Sequence, residues 1–478
     1  MTKPLWTSDD ITLATGGVAT APFKVTGTVS IDTRSLVPGA LFVALKDQRD
    51  GHDFVEAAFE AGAAGALVSR KKGDGPQVVA DDTLAALEQL GVAARARCGA
   101  HRTAITGSAG KTSVKEMLAR IYRALGPAHW SQKSFNNHWG VPLTLARMPE
   151  NTERAVFEIG MSTPGEIAPR SRMVRPQTGL ITCIAGAHLE GLGSLEAVAR
   201  EKADIFEGLE AGGTFILPSD DIFFEYLADR ARDLCPTGNL ETFGHAKDAT
   251  ARIVGYETDG VSSRVQVDVV GKPVLVTLDA VGEHWAMNVA AALLAATQTG
   301  ASVSDCAEAL SGYAPPPGRG TAERLPLPGG GTFTLIDDAY NANPGSMRAA
   351  LSSLKQRGAG RRLVALGEML EIGERSDAEH AGLAGAVVET GTEGVFLAGD
   401  NMTHLAEALP TDLQKVWAPK ADELFNALEN TLRDGDVVLI KGSNASGMGR
   451  LADRLRQWSE TADLGKMASG TEGAAGVG

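Results

Sequence analysis

"AITGSAGKTSVKEM", residues 104–117, decides how the chain is read. It passes from a short apolar strand through a glycine-bearing turn and Gly-Lys-Thr into a helix. Backbone N–H groups of Gly107, Ser108, Ala109 and Gly110 then face a concavity suited to β- and γ-phosphates. Lys111 adds a point charge, Thr112 a hydroxyl for Mg²⁺, Ser113 the next polar group, and the helix its positive end. The match is the shortened G-x-x-G-K-T, because Ile105 stands where the full pattern has glycine. An accidental Gly-Lys-Thr turn is the alternative. The strand before it, the helix after it and the acidic strand ends that follow weigh against that alternative.

Working outward, strands such as "RAVFEIG" (154–160) and "GLITCIAGAH" (179–188) alternate with helices such as "SLEAVAREKADIFEGL" (194–209). This is the pattern of an α/β chain with a mostly parallel sheet. Residues 245–278 alternate with period two and predict an antiparallel patch. "GYAPPPGRG" (312–320) breaks all periodicity and reads as a stiff connector. Beyond it, "TFTLIDDAY", "RRLVALGE", "GVFLAGD" and "DVVLIKGS" are buried-strand candidates of another small doubly wound sheet. The expected domains are therefore 1–99, 100–313 and 314–460, followed by a Gly- and Ala-rich tail, 461–478, too poor in large apolar groups to order itself.

A phosphate site needs metal ligands. Glu158 ends the strand "AVFEI", where a carboxylate points from the sheet edge toward a nucleotide; a solvated strand-end glutamate is the alternative. His188 ends the next strand, either as a ligand or as a structural residue. Lys202 is the odd residue. Leu195, Val198, Ile205 and Phe206 recur at helical spacing, and Lys202 falls on their stripe. Either its stem snorkels to solvent, or it is buried with a lowered pKa. A buried free amine can add CO₂ to give a carbamate, which binds metal as a carboxylate does.

Composition narrows the class. The chain has 478 residues, 43% apolar and 22% charged, as in a soluble multi-domain protein. A net charge of −14 and no basic stripe argue against a nucleic-acid partner. Four scattered cysteines without a C-x-x-C pair fit reduced thiols in a cytoplasm. Neither a secretory h-region nor a membrane-length apolar run is present.

Several motifs together resemble one family. "GSAGKTS", "NNHWGVPLTL", "FEIGMSTPGEIA", "AHLEGLGSLEAVAREKADIF", "GEHWAMNVAAALLAA", "PGRG", "DDAYNANPGSM", "LGEMLEIGERS" and "LIKGS" are similar to the Mur ligases of peptidoglycan synthesis. The resemblance runs from residue 32 to residue 448, and "DDAYNANPGSM" points to the member that adds D-alanyl-D-alanine to UDP-N-acetylmuramoyl-tripeptide. It implies an N-terminal UDP-binding domain, a central ATPase and a C-terminal Rossmann-like domain, acting as a cytoplasmic monomer in cell-wall biogenesis. It also implies that ATP phosphorylates the tripeptide carboxylate and that the dipeptide amine then displaces phosphate.

Residue by residue, the resemblance gives Lys111 to the phosphates and Thr112 with Glu158 to one Mg²⁺. His188 and carbamylated Lys202 take a second Mg²⁺. Asn288 meets adenine, and Arg319 and Asp338 reach the nucleotide. Thr33 and Arg34 match a Ser-Arg pair at the UDP end, while Asn137, Tyr340, Asn341 and Asn343 fall on the substrate side. Ala109, Ser162 and Trp285 each stand where the family has asparagine, which touches one phosphate-loop, one substrate and one adenine contact. The competing readings are a sibling ligase or folate polyglutamate synthetase, a P-loop kinase or switch, and a binding protein that kept the fold.

Overall fold

The strand that leads into the phosphate loop, His101–Thr106, lies inside a nine-stranded sheet. This is seen in a computed structural model that describes residues 3–132, 134–186, 189–358 and 360–469. Across the sheet the order is Lys272–Leu278, Ser263–Val269, Ala251–Thr258, Asn239–Gly244, Thr214–Pro218, Thr178–Ile181, His101–Thr106, Arg154–Glu158 and Ala128–Trp130. From Ala128–Trp130 to Ala251–Thr258 the strands pair in parallel. The central ones are covered on both faces: every residue of Thr178–Ile181 and Thr214–Pro218 is buried. The last three strands form the expected antiparallel patch. In Ser263–Val269 burial alternates along the strand, so period two in the sequence is period two in the fold.

Helices pack on both faces. Lys111–Leu125 and His284–Thr297 share one core with Ile105, Val156 and Leu180. Val198, Ala199, Ile205 and Phe206, from the "SLEAVAREKADIFEGL" segment, join the other with Phe157 and Phe215.

Before this sheet lies a five-stranded one, ordered Val18–Ala19, Gln77–Val79, Gly65–Val68, Leu41–Val43 and Val29–Ser30, with one antiparallel edge. Helix Thr83–Ala96 couples the two sheets by packing on Gly140–Ala146. The approach is close: a Cβ on Gly91 would lie 3.1 Å from the Pro142 carbonyl oxygen. That explains a mid-helix glycine, which otherwise costs about 1 kcal/mol relative to alanine.

After the proline connector comes a six-stranded sheet, ordered Thr321–Pro326, Thr332–Asp338, Val437–Lys441, Arg362–Gly367, Gly394–Ala398 and Gln414–Ala418. All neighbours are parallel except the first pair. It is filled on both faces, as a doubly wound sheet requires.

Two expectations are corrected. The strand of "GLITCIAGAH" stops at Ile181, because the chain there turns to hydrogen-bond the phosphate loop, so it does not run on through the rest of that stretch. His188 itself lies outside the described residues. The last helix, Met448–Ser469, continues past residue 460, and residues 470–478 lie outside the described residues.

Candidate active site

The phosphate loop is a cradle with no spare volume. Gly107 and Gly110 take φ of 148° and 81°, a region that side chains disfavour. A Cβ on Gly107 would fall 1.8 Å from Thr182 Oγ1, and one on Gly110 would fall 2.7 Å from Asn288 Oδ1. Ser108 is tied down by its N–H to the Cys183 carbonyl at 2.9 Å and its hydroxyl to the Ala185 carbonyl at 2.8 Å. Helix Lys111–Leu125 has no side-chain cap, so its first N–H groups and its dipole are available to an anion. Lys111 Nζ donates to the Gly107 carbonyl at 2.6 Å, closing the loop on itself.

Beside the loop, Glu158 ends its strand in register with Ile105 and is 1% exposed. Its carboxylate accepts from Thr112 Oγ1 at 2.8 Å and from Asn136 Nδ2 at 2.8 Å. A buried carboxylate paired with a hydroxyl at a phosphate cradle fits Mg²⁺, which takes one or two protein ligands and completes its shell with phosphates and water. Among the described residues no three His, Cys, Asp or Glu converge as a self-sufficient metal cage.

Lys202 does not snorkel. It sits in the last turn of helix Leu195–Ala203, 1% exposed, among the largest fully buried side chains. Burial, and then the charge of Lys111, push its amine well below the ordinary lysine range. Its neighbour Glu201 accepts the backbone N–H groups of Gly165, Glu166 and Ile167 at 2.7, 2.8 and 2.9 Å, capping helix Ile167–Val174.

The six-stranded sheet supplies the opposite wall. Arg319 lies 4.0 Å over the Tyr340 ring and reaches Ser134 Oγ at 3.4 Å. Burial raises the Asp338 pKa against the pull of Lys441, whose Nζ donates to Asp338 Oδ2 at 2.8 Å and to the Asn341 carbonyl at 3.0 Å. Asn343 caps helix Pro344–Gln356, and its Nδ2 donates to the Ser108 carbonyl at 3.5 Å.

These walls enclose one cavity of about 820 Å³. Ser108, Ala109, Gly110, Lys111, Thr112, Ser113, Asn137, Glu158, Asn288, Arg319, Asp338, Tyr340, Asn341 and Asn343 all line it. Gly107 packs on Thr182 and Lys202 is buried where it feels the charge of Lys111, whereas Thr33 and Arg34 stand in a 3-10 turn after strand Val29–Ser30, where Arg34 pairs with Asp32 at 2.7 Å. Ala109 and Trp285 also line the cavity; Trp285 is buried against Tyr313, at 6.1 Å between ring centres. Sequence reasoning missed Asn136, Lys441 and the Glu166–Arg170 pair. Within "NNHWG" it chose Asn137, whose Oδ1 caps Gly140 N at 2.9 Å, while Asn136 holds Glu158.

The chain is similar to characterised proteins over nearly its whole length. Residues 105–296 match the pattern described as Mur ligase middle domain, and residues 323–444 match Mur ligase, glutamate ligase domain. A UDP-N-acetylmuramoyl-tripeptide–D-alanyl-D-alanine ligase of Bacillus subtilis is 35% identical over 87% of this chain and 90% of its own length. A protein of the same name from Rickettsia prowazekii is 30% identical over 94% of this chain and 99% of its own. Among solved structures, a UDP-N-acetylmuramoylalanyl-D-glutamyl-2,6-diaminopimelate–D-alanyl-D-alanyl ligase from Acinetobacter baumannii superposes with a TM-score of 0.81 at 28% identity, covering 95% of this chain and 99% of that one.

Proposed function

The chain belongs to the Mur ligase family, and from that premise we propose that it joins D-alanyl-D-alanine to UDP-N-acetylmuramoyl-tripeptide in peptidoglycan precursor synthesis. It is an ATP-dependent ligase that forms a C–N bond and releases ADP and phosphate. The observation that carries the reading is the cradle itself: a glycine loop with no room for a Cβ, an uncapped helix end, and Glu158 with Thr112 beside it.

A carboxylate is a poor acylating agent, and its charge repels the γ-phosphate. Phosphoryl transfer to the tripeptide carboxylate makes an acyl phosphate; the dipeptide amine adds to its carbonyl, loses a proton, and expels inorganic phosphate. Lys111 gives up the Gly107 carbonyl to take a phosphate oxygen, and the helix N–H groups hold its neighbours. Thr112 and Glu158 would hold one Mg²⁺, with Asn136 fixing the carboxylate. His188 and the Lys202 carbamate would hold a second. When bound, Mg²⁺ neutralises charge between the carboxylate and the γ-phosphate. Burial of Lys202, which favours the free amine over the ammonium, supports carbamylation, since only a free amine adds CO₂, with release of one proton.

Asn288, against Gly110, is positioned to read the base end, while Arg319 and Asp338 approach the nucleotide from the other wall. Asn137, Tyr340, Asn341 and Asn343 face the substrates, and Thr33 with Arg34 the UDP end. The three sheets support a UDP-binding domain at 1–99, an ATPase at 100–313 and a Rossmann-like domain at 314–460. No helix among the described residues is long and apolar enough to cross a membrane; a cytoplasmic monomer belongs to the same proposal. The test is ADP release with ATP and UDP-tripeptide, with and without D-alanyl-D-alanine. Release that depends on the dipeptide is expected; release independent of any amine, or dependent on a single amino acid instead, refutes the assignment.

A further inference from the structure

The cavity wall holds a buried cation that the ligation chemistry leaves unused. Arg170 is 6% exposed and lines the cavity with Glu166, four residues before it. One guanidinium nitrogen donates to the Gly160 carbonyl at 2.5 Å, and another lies 3.2 Å from Glu166 Oε1. Those contacts take two of the five N–H groups that arginine offers. Among the described residues no other acceptor takes the rest. Glu166 is itself engaged, because its second oxygen accepts Ser162 N at 2.6 Å and Thr163 N at 3.3 Å. The helix that carries the pair is anchored at its start by Glu201, so the guanidinium is held in place before any ligand arrives.

Its position says what it meets. The phosphate-loop strand has Thr178–Ile181 on one side and Arg154–Glu158 on the other. The nucleotide cradle leans toward the first, where Thr182 packs under Gly107 and Asn288 against Gly110. The chain that leaves Glu158 through Gly160 and Ser162 to Arg170 follows the second strand, on the side where Asn136 packs on Gly160. On the ligase reading above, on which this inference rests, that is where the donor peptide lies. A planar fork with spare N–H groups in a water-poor wall is suited to a carboxylate. An alanyl-D-glutamyl-2,6-diaminopimelate tripeptide, as in the name of the Acinetobacter ligase, has two carboxylates besides the reacting one.

We propose that Arg170 is a specificity-determining residue that binds a non-reacting carboxylate of the donor tripeptide. The test compares three UDP-linked donors: the diaminopimelate tripeptide, the same peptide with lysine third, and the diaminopimelate peptide with its D-glutamyl carboxylate converted to the carboxamide. Arg170→Leu should raise KM for the full donor on the order of tenfold to a hundredfold while KM for ATP stays within about twofold. Arg170→Lys should recover part of the loss. On the unaltered enzyme one of the other donors should show the same rise, and Arg170→Leu should bind that donor and the full donor alike. Loss with the lysine donor assigns the carboxylate to the third residue; loss with the carboxamide assigns it to D-glutamate. Losses that simply add, or a variant that treats all three donors as the unaltered enzyme does, overturn the role of Arg170. Because the donor comparison is made first on the unaltered enzyme, a variant that fails to fold leaves a decisive measurement: equal KM for all three donors also overturns it. An unaltered enzyme that releases no ADP in response to D-alanyl-D-alanine with any donor refutes the ligase reading instead.

Discussion

Replacing Lys202 with alanine separates the two things a buried lysine can be. Its side chain is 1% exposed, so truncation removes three methylenes from the core beyond Cβ. At about 0.8 kcal/mol each, that is a loss of about 2.4 kcal/mol. The loss is offset in part, because burial disfavours the charged form of this lysine in the folded state. The sign follows: the unfolded chain binds more protons than the folded one, so this group makes stability rise with pH toward its ordinary value of 10.5. Alanine abolishes that slope, and the net cost at pH 7 should be about 1–2 kcal/mol, a fall of about 2–8 °C in melting temperature. Packing alone therefore predicts a folded, active enzyme at 25 °C. A carbamate ligand predicts more than a hundredfold loss of turnover, since even outer partners of metal ligands are worth about 10–100-fold. It also predicts partial rescue by acetate or propionate, which fill the cavity and supply a carboxylate. The assay is dipeptide-dependent ADP release across an acid titration, alongside thermal melts. Normal turnover of Lys202→Ala, with or without added acid, would refute the reasoning.

Lys111→Ala should abolish turnover while costing about 1 kcal/mol, the worth of its one hydrogen bond to Gly107; residual ligation near the normal rate removes the phosphate-loop assignment. Glu201→Ala orphans three backbone N–H groups under a 6% exposed side chain and should cost about 2–4 kcal/mol, lowering the melting temperature by about 5–15 °C. An unchanged melt would mean that water replaces the cap. Burial holds both His101 and His129 at a pKa of about 4, against an ordinary 6.5. The unfolded chain therefore binds more protons between those values, and stability should fall as pH drops from about 6.5 to about 4, by up to about 1.4 kcal/mol per pH unit for each histidine. Urea melts of a His101→Gln, His129→Gln double variant should flatten that stretch, and an unflattened profile places the acid sensitivity elsewhere.

What the sequence reveals depends on whether a residue's role is local. Gly107 to Thr112 are legible because a phosphate cradle is built from consecutive residues. The alternation of Ser263–Val269 is legible because one face of that strand is buried and the other is not. Burial of Lys202 follows from its place on an apolar helical stripe, where Val198, Ile205 and Phe206 are 0% exposed. Roles that depend on which element lies across a gap leave no such trace. Asn136 and Asn137 are adjacent and identical, yet one meets Glu158 and the other caps the next turn. Glu166 and Arg170 look like a surface i,i+4 pair, and only the packing around helix Ile167–Val174 makes their face a cavity wall. His188 shows the opposite hazard: an apolar run suggested a strand up to it, whereas pairing ends at Ile181.

The two walls of the cavity are prearranged without being locked together. Away from the mouth the contacts are short: Tyr256 Oη accepts Gly282 N at 2.7 Å and donates to Gln356 Oε1 at 3.1 Å. Across the cavity they are long, with Arg319 to Ser134 at 3.4 Å and Asn343 to Ser108 at 3.5 Å, near the limit at which a hydrogen bond still counts. The cations follow the same logic. Lys111 holds a loop carbonyl and Arg319 a serine hydroxyl, both neutral acceptors. An anionic nucleotide offers each a charged oxygen instead, and a charge-assisted hydrogen bond is roughly twice as strong as a neutral one. If Lys111 and Arg319 hold the nucleotide as proposed, each exchange favours the bound state and ties one wall to the other through the ligand. On the proposed assignment the phosphate loop is complete before ATP arrives, and the nucleotide would supply the bridge between the sheet that carries Glu158 and the sheet that carries Asp338.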